Sequence, residues 1–128
     1  MNSNTQRRQV PGPAGSIEVA IDSPAADVPL RGAAVVCHPH PQHGGTMDNK
    51  VAQMLARTFV QLGYRAVRFN FRGTGASEGA WDEGRGEIDD ALAVVAAYSA
   101  TALPLALGGF SFGAYVPSQA AKRLAEEG

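Results

Sequence analysis

The sequence predicts an α/β fold: a predominantly parallel sheet with flanking helices. Three observations carry this. Residues 33–37, 65–69 and 105–110 are short apolar runs, the length of strands and apolar enough to be buried on both faces. Stretches with helical periodicity separate or follow them. Each run ends in small, polar or turn-forming residues, and in a parallel sheet such loops gather at one carboxyl edge, where α/β proteins place their sites.

The elements follow in order. Residues 1–15 read as a flexible lead-in that ends in Pro11-Gly12-Pro13, and residues 16–128 as a partial α/β domain. Residues 16–21 alternate, with Ile17, Val19 and Ile21 on one face and Glu18 on the other, which predicts a half-buried strand. Residues 23–31 hold two prolines and read as a loop before the strand 33–37. Residues 38–49, rich in Pro, Gly and His, form a second loop. A helix follows, with Val51, Met54, Leu55, Thr58, Phe59 and Leu62 on one face, Asp48 as N-cap and Gly63 as the C′ residue.

The strand 65–69 ends at the turn Arg72-Gly73-Thr74-Gly75. Residues 86–99 form a helix with Ile88, Leu92 and Val95 inward and Tyr98 at the end of the same stripe. Glu87, Asp89 and Asp90 suit its N-terminal end through the macrodipole. After Pro104 comes the run 105–110, then an amphipathic stretch over 114–127. Pro117 falls near the start of that last helix, where it removes one backbone bond.

Composition narrows the function. The chain has 128 residues, enough for one domain, and 45% of them are hydrophobic, enough for a core. Eleven basic residues against 12 acidic ones give a net charge of −1, which argues against a nucleic-acid binder. Arg7-Arg8 and Glu126-Glu127 read as solvated ends. Cys37 is the only cysteine and lies in an apolar run, so a buried structural thiol is expected and a disulfide framework is excluded. No secretory signal and no membrane-length apolar stretch is seen, so the expected setting is cytoplasmic, away from membranes.

Three segments could carry chemistry. Gly109-Phe110-Ser111-Phe112-Gly113 reads G-x-S-x-G at a strand-to-helix junction. Small residues two before and two after the serine let strand and helix approach closely, and the turn holds the side chain beside a helix N-terminus. There the dipole and free N–H groups favour developing negative charge. The alternative is an unreactive Gly/Ser turn.

His38-Pro39-His40-Pro41-Gln42-His43-Gly44-Gly45 admits three readings: a histidine metal site, an oxyanion loop, or a rigid loop with solvated histidines. Pro39 and Pro41 lack an N–H, so the donor nearest the strand end is that of His40. Arg72-Gly73-Thr74-Gly75 lacks the third glycine of a dinucleotide site, and no phosphate-loop motif occurs. It reads as a structural turn, with Arg72 bonded to carbonyls or an acid.

Taken together, these segments resemble the α/β-hydrolase superfamily, and within it small bacterial serine-hydrolase-like proteins of unassigned substrate, related to serine aminopeptidases and esterases. The marks are His38-Pro39-His40-Pro41, Gly44-Gly45-Thr46-Met47-Asp48-Asn49-Lys50, Arg68-Phe69-Asn70-Phe71-Arg72-Gly73 with Gly75 and Ser77, and the Gly109–Gly113 motif. The resemblance implies Ser111 as nucleophile, the backbone N–H groups of His40 and Phe112 as oxyanion hole, and Gly109 and Gly113 as the structural elbow. It implies a small-molecule ester, thioester or amide as substrate, and no cofactor or metal.

In this fold the acid and the base follow the serine. After Ser111 there is Glu126 and Glu127 but no Asp or His. The chain therefore reads as the N-terminal part of a hydrolase, with weak activity or none by itself. The strand 105–110 would be a sheet edge, open to self-association. The competing expectation is a non-catalytic α/β module that binds a small molecule or a partner chain.

Overall fold

A computed structural model describes residues 5–99, 102–109 and 112–127. The elements are β1 (Gln6–Gly12), β2 (Gly15–Asp22), β3 (Gly32–Cys37), α1 (Lys50–Gln61), β4 (Tyr64–Phe69), α2 (Arg85–Tyr98), β5 (Leu105–Gly109) and α3 (Phe112–Glu127). They build one five-stranded sheet in the order β1-β2-β4-β3-β5. The α/β class holds. The parallel part is the trio β4, β3 and β5, while β2 runs antiparallel to both β1 and β4.

The first strand corrects the expected lead-in. Gln6 to Gly12 pairs with β2 in full register, from Gln6 opposite Ile21 to Gly12 opposite Gly15. Sequence periodicity misses it because β1 lies at the sheet edge: four of its residues are exposed polar ones and only Val10 is buried. Arg7 is correspondingly not a loose end. Its guanidinium lies 3.3 Å from Asp48 and 3.8 Å from Glu18.

The core is two-sided. Val19, Val35, Cys37, Val67 and Phe69 point to one face, where Ile88, Ala91, Val94 and Val95 of α2 and Val116 and Ala120 of α3 cover them. Strand alternation sends Ala34, Val36 and Ala66 to the other face, against α1. There the expected apolar stripe of α1 is displaced. Its buried residues are Ala52 and Ala56, while Val51, Met54 and Leu62 are exposed. Two alanines let the helix lie close on the sheet, and the larger side chains project outward.

The N-cap of α1 is Asn49, not Asp48. Asn49 Oδ1 accepts from the N–H groups of Val51 at 2.9 Å and Ala52 at 3.2 Å, whereas Asp48 is engaged by Arg7 and Arg68. Gly63 follows the helix at φ 92°, the left-handed C′ conformation that glycine adopts without strain. At the far end of the sheet β5 pairs with β3 alone among the described residues and is half-buried rather than buried, as suits an edge strand.

Candidate active site

The three parallel strands end at the same edge. The register places Cys37 beside Phe69 on one side and beside Gly109 on the other. The loop that starts at His38, the turn that starts at Asn70 and the end of β5 at Gly109 are therefore neighbours. β5 stops at Gly109 and α3 starts at Phe112, one on each side of the motif serine in the sequence. Ser111 itself and the side chain of Phe112 lie outside the described residues. A groove of about 230 Å³ runs beside the end of β5, lined by Leu107, Gly108, Gly109, Pro117 and Ser118 among others. A larger cleft of about 500 Å³ opens near the amino end of β4, at Arg8, Arg65 and Tyr98, away from this edge.

His38 is a structural residue. It is fully buried, its Nε2 accepts from the Phe71 N–H at 3.1 Å, and its Nδ1 lies 2.6 Å from the Pro39 carbonyl. Nε2 is then the bare nitrogen and Nδ1 carries the proton, so the neutral ring ties the end of β3 to the end of β4. Burial pushes its pKa down to about 4, partly offset by the bond to Pro39. Both nitrogens are thus taken, which removes His38 from any metal site. Burial also pushes the Cys37 thiol well above its ordinary range, which keeps it protonated and inert.

His40 is placed differently. It caps the short 3₁₀ turn Pro41–His43, with Nδ1 accepting from the Gln42 N–H at 3.1 Å. Its ring lies 4.5 Å from that of Trp81, which comes from the loop after β4. Gly45 closes the loop by donating from its N–H to the His40 carbonyl at 3.1 Å. A side chain at Gly45 would run into the Pro39 carbonyl, so the close approach requires glycine here. The side chain of His43 lies outside the described residues, and among those described no group of three His, Cys, Asp or Glu is placed to hold a metal.

The Arg72 turn is the structural element the sequence suggests, with an acid as its partner. Arg72 makes three bonds to Asp90, from its backbone N–H at 3.0 Å, Nε at 3.1 Å and Nη2 at 2.9 Å, and a fourth to the Gly86 carbonyl at 2.8 Å. The hydrogen bond to Asp90 raises the guanidinium's pKa further. Gly86 has no room for a side chain because the guanidinium occupies that space. Glu87, also buried, accepts from the N–H groups of Asp82 and Gly84, both at 2.9 Å. The acids at the head of α2 therefore hold loops, beyond any effect on the helix dipole.

Sequence reasoning gave Glu18 only a place on a strand face, and Arg68 and Asn70 only a place among the marks of the resemblance. Asn70 Oδ1 accepts from the Met47 N–H, and its Nδ2 donates to Glu18 Oε1. Ser77 Oγ donates to the Asn70 carbonyl at 2.6 Å and accepts from the Glu18 N–H at 2.8 Å. The available signal was Arg68 itself, a charged residue between Val67 and Phe69 in the buried part of β4.

The family model described as X-Pro dipeptidyl-peptidase (S15 family) matches residues 17–127. The chain belongs to this family. Two similar solved structures are described as an α/β serine hydrolase and a homologue of one. The fold superposes on an α/β serine hydrolase without lid from Xanthomonas campestris with a TM-score of 0.86 and 45% identity, over 98% of this chain and 59% of that one. An α/β serine hydrolase homologue from Coxiella burnetii gives 0.85 and 42%, over 94% and 58%. An uncharacterized protein of Rickettsia prowazekii is 39% identical over 121 residues, which are 90% of this chain and 49% of that protein. The chain thus spans about half the length of that relative and under three-fifths of these two neighbours.

Proposed function

We propose that these residues carry the nucleophile and oxyanion hole of a serine hydrolase that acts on an ester, thioester or amide. Ser111 Oγ attacks the carbonyl carbon, and the backbone N–H groups of Phe112 and His40 receive the oxyanion. The leaving group departs with a proton, and water releases the acyl group in a second step. The observation that carries this reading is the pairing of Cys37 with Gly109, which sets the start of the His40 loop beside the carboxyl end of β5. Membership of the S15 family brings peptide amides within the substrate range.

General base catalysis is the missing part. No Asp or His follows Ser111 within these 128 residues, and His38 has both nitrogens engaged elsewhere. Residues 1–128 alone should therefore turn over slowly or not at all, with only oxyanion and binding effects left. The relatives from three bacteria and a lone buried thiol favour a bacterial cytoplasmic setting. A serine-reactive fluorophosphonate tests the reading: labelling that vanishes in Ser111→Ala supports it, and equal labelling of both chains overturns it.

The open edge of β5 favours a second reading, a non-catalytic module that pairs with another chain. In that case sedimentation would reveal self-association that rises with concentration, and Ser111→Ala would leave it unchanged.

A further inference from the structure

Met47 lies midway along the loop from β3 to α1 and is only 1% exposed. Both of its backbone polar groups are held by side chains. Its N–H donates to Asn70 Oδ1 at 2.8 Å, and its carbonyl accepts from Arg68 Nη1 at 2.8 Å. Arg68 and Asn70 sit two residues apart at the end of β4, so they reach the loop from the same face of the sheet. Leaving either backbone group unpaired there would forfeit its full desolvation cost.

Both holding residues are themselves anchored. Asn70 Nδ2 donates to Glu18 Oε1 at 2.7 Å. Arg68 is fully buried, with Nη2 3.5 Å from the buried Asp22 and Nη1 3.4 Å from Asp48. Asp22 also accepts from the Thr5 hydroxyl. A buried guanidinium is an expensive filler, because desolvating it costs several kcal/mol and an apolar residue of similar size often serves stability as well or better. Arg68 Nε and Nη2 even lack a hydrogen-bond partner among the described residues. What an apolar residue could not supply is the donor to Met47.

We propose that Arg68 and Asn70 are positioning residues for the oxyanion loop. They hold the two polar groups of Met47, and through the Gly45-to-His40 hydrogen bond they set where the His40 N–H sits relative to the elbow. The proposal rests on the reading of His40 as an oxyanion donor. A shift of about 1 Å in such a donor can cost on the order of a hundredfold in rate.

The test uses the full 128-residue chain with Asn70→Ala, Asn70→Asp and Arg68→Lys. Fluorophosphonate labelling of Ser111 is resolved into a saturation constant and a maximal rate, and amide exchange is followed across residues 39–49. Asn70→Ala should lower the maximal rate about tenfold or more with the saturation constant unchanged. Its amides from 39 to 49 should exchange faster while those of β3 and β4 keep their protection. Asn70→Asp, combined with Glu18→Gln so that an amide N–H and not a second carboxylate faces the new oxygen, retains the acceptor for Met47 and should restore both readouts in large part, and Arg68→Lys should fall between.

The backbone bonds of Asn70 to Glu18 and Ser77 survive these changes, which favours folding. If Asn70→Ala still fails to fold, Asn70→Ser is compared with Asn70→Asp in its place. Unchanged exchange over 39–49, equal behaviour of the Ala and Asp variants, or a uniform loss of protection over the sheet would overturn the proposal. Absence of labelling in the unmodified chain would remove the hydrolase claim for residues 1–128 by themselves, and amide exchange alone would then decide whether Arg68 and Asn70 hold the loop.

Discussion

The carboxyl edge of β3 and β4 and the outer side of α1 and β5 are built on opposite plans. At the first, charged and polar residues are buried and most are bonded: Arg72 to Asp90, Glu87 to two N–H groups, His38 and Asn70 across neighbouring loops. At the second, apolar residues stay in solvent: Met54 is 60% exposed and Leu62 51%, on the helix that flanks a strand with one partner among the described residues. Polar residues inside and apolar ones outside invert the usual distribution. The first region spends stability to fix loop geometry. The second has surface to offer to further structure.

Breaking the first region should have the largest effect. Asp90→Ala leaves Arg72 without its carboxylate in a largely buried turn, and should lower unfolding free energy by about 3–5 kcal/mol in urea titrations. Arg72→Ala should do nearly as much, because it strands the buried Asp90.

Acid should loosen the same region through His38. Its folded pKa of about 4 lies below the ordinary 6.5, so between these values the unfolded chain binds more protons. The contribution is complete above about pH 6.5 and is lost as pH falls toward 4, to a total of about 3 kcal/mol. Unfolding measured across that window should have a steeper pH dependence in the native chain than in His38→Gln.

Gly45→Ala is a smaller disturbance. The added methyl meets the Pro39 carbonyl and should cost about 1–3 kcal/mol in thermal unfolding. Because the loop must move to relieve it, fluorophosphonate labelling of Ser111 should fall further than stability alone explains.

The second region sharpens the contrast by not responding. Met54→Lys and Leu62→Lys should change monomer stability by less than about 0.5 kcal/mol. If copies associate through the β5 edge, Leu107→Lys should weaken that association in sedimentation, and should lower the melt as well because Leu107 packs against the core.

Much of the fold was legible because strand length, helical period and glycine placement are local signals. β2 to β5 and all three helices stand within a few residues of where the pattern puts them. The edge strand β1 was not legible, because an exposed polar strand has no periodicity to read. The inward face of α1 was misread for a related reason. Apolar periodicity finds the large residues Val51, Met54 and Leu62, yet the sheet accepts the small ones, Ala52 and Ala56.

By itself, the sequence determined the α/β class, the G-x-S-x-G motif around Ser111 and the lack of any His or Asp between it and residue 128. Those depend on residue type and spacing along one segment. Only the tertiary structure decided that His38 is a neutral tie between strands, that Asp90 serves Arg72, and that Arg68 and Asn70 grip Met47. Each of these joins residues 18 to 33 positions apart, and the partner of a buried polar group is chosen by sheet register, which no local pattern encodes.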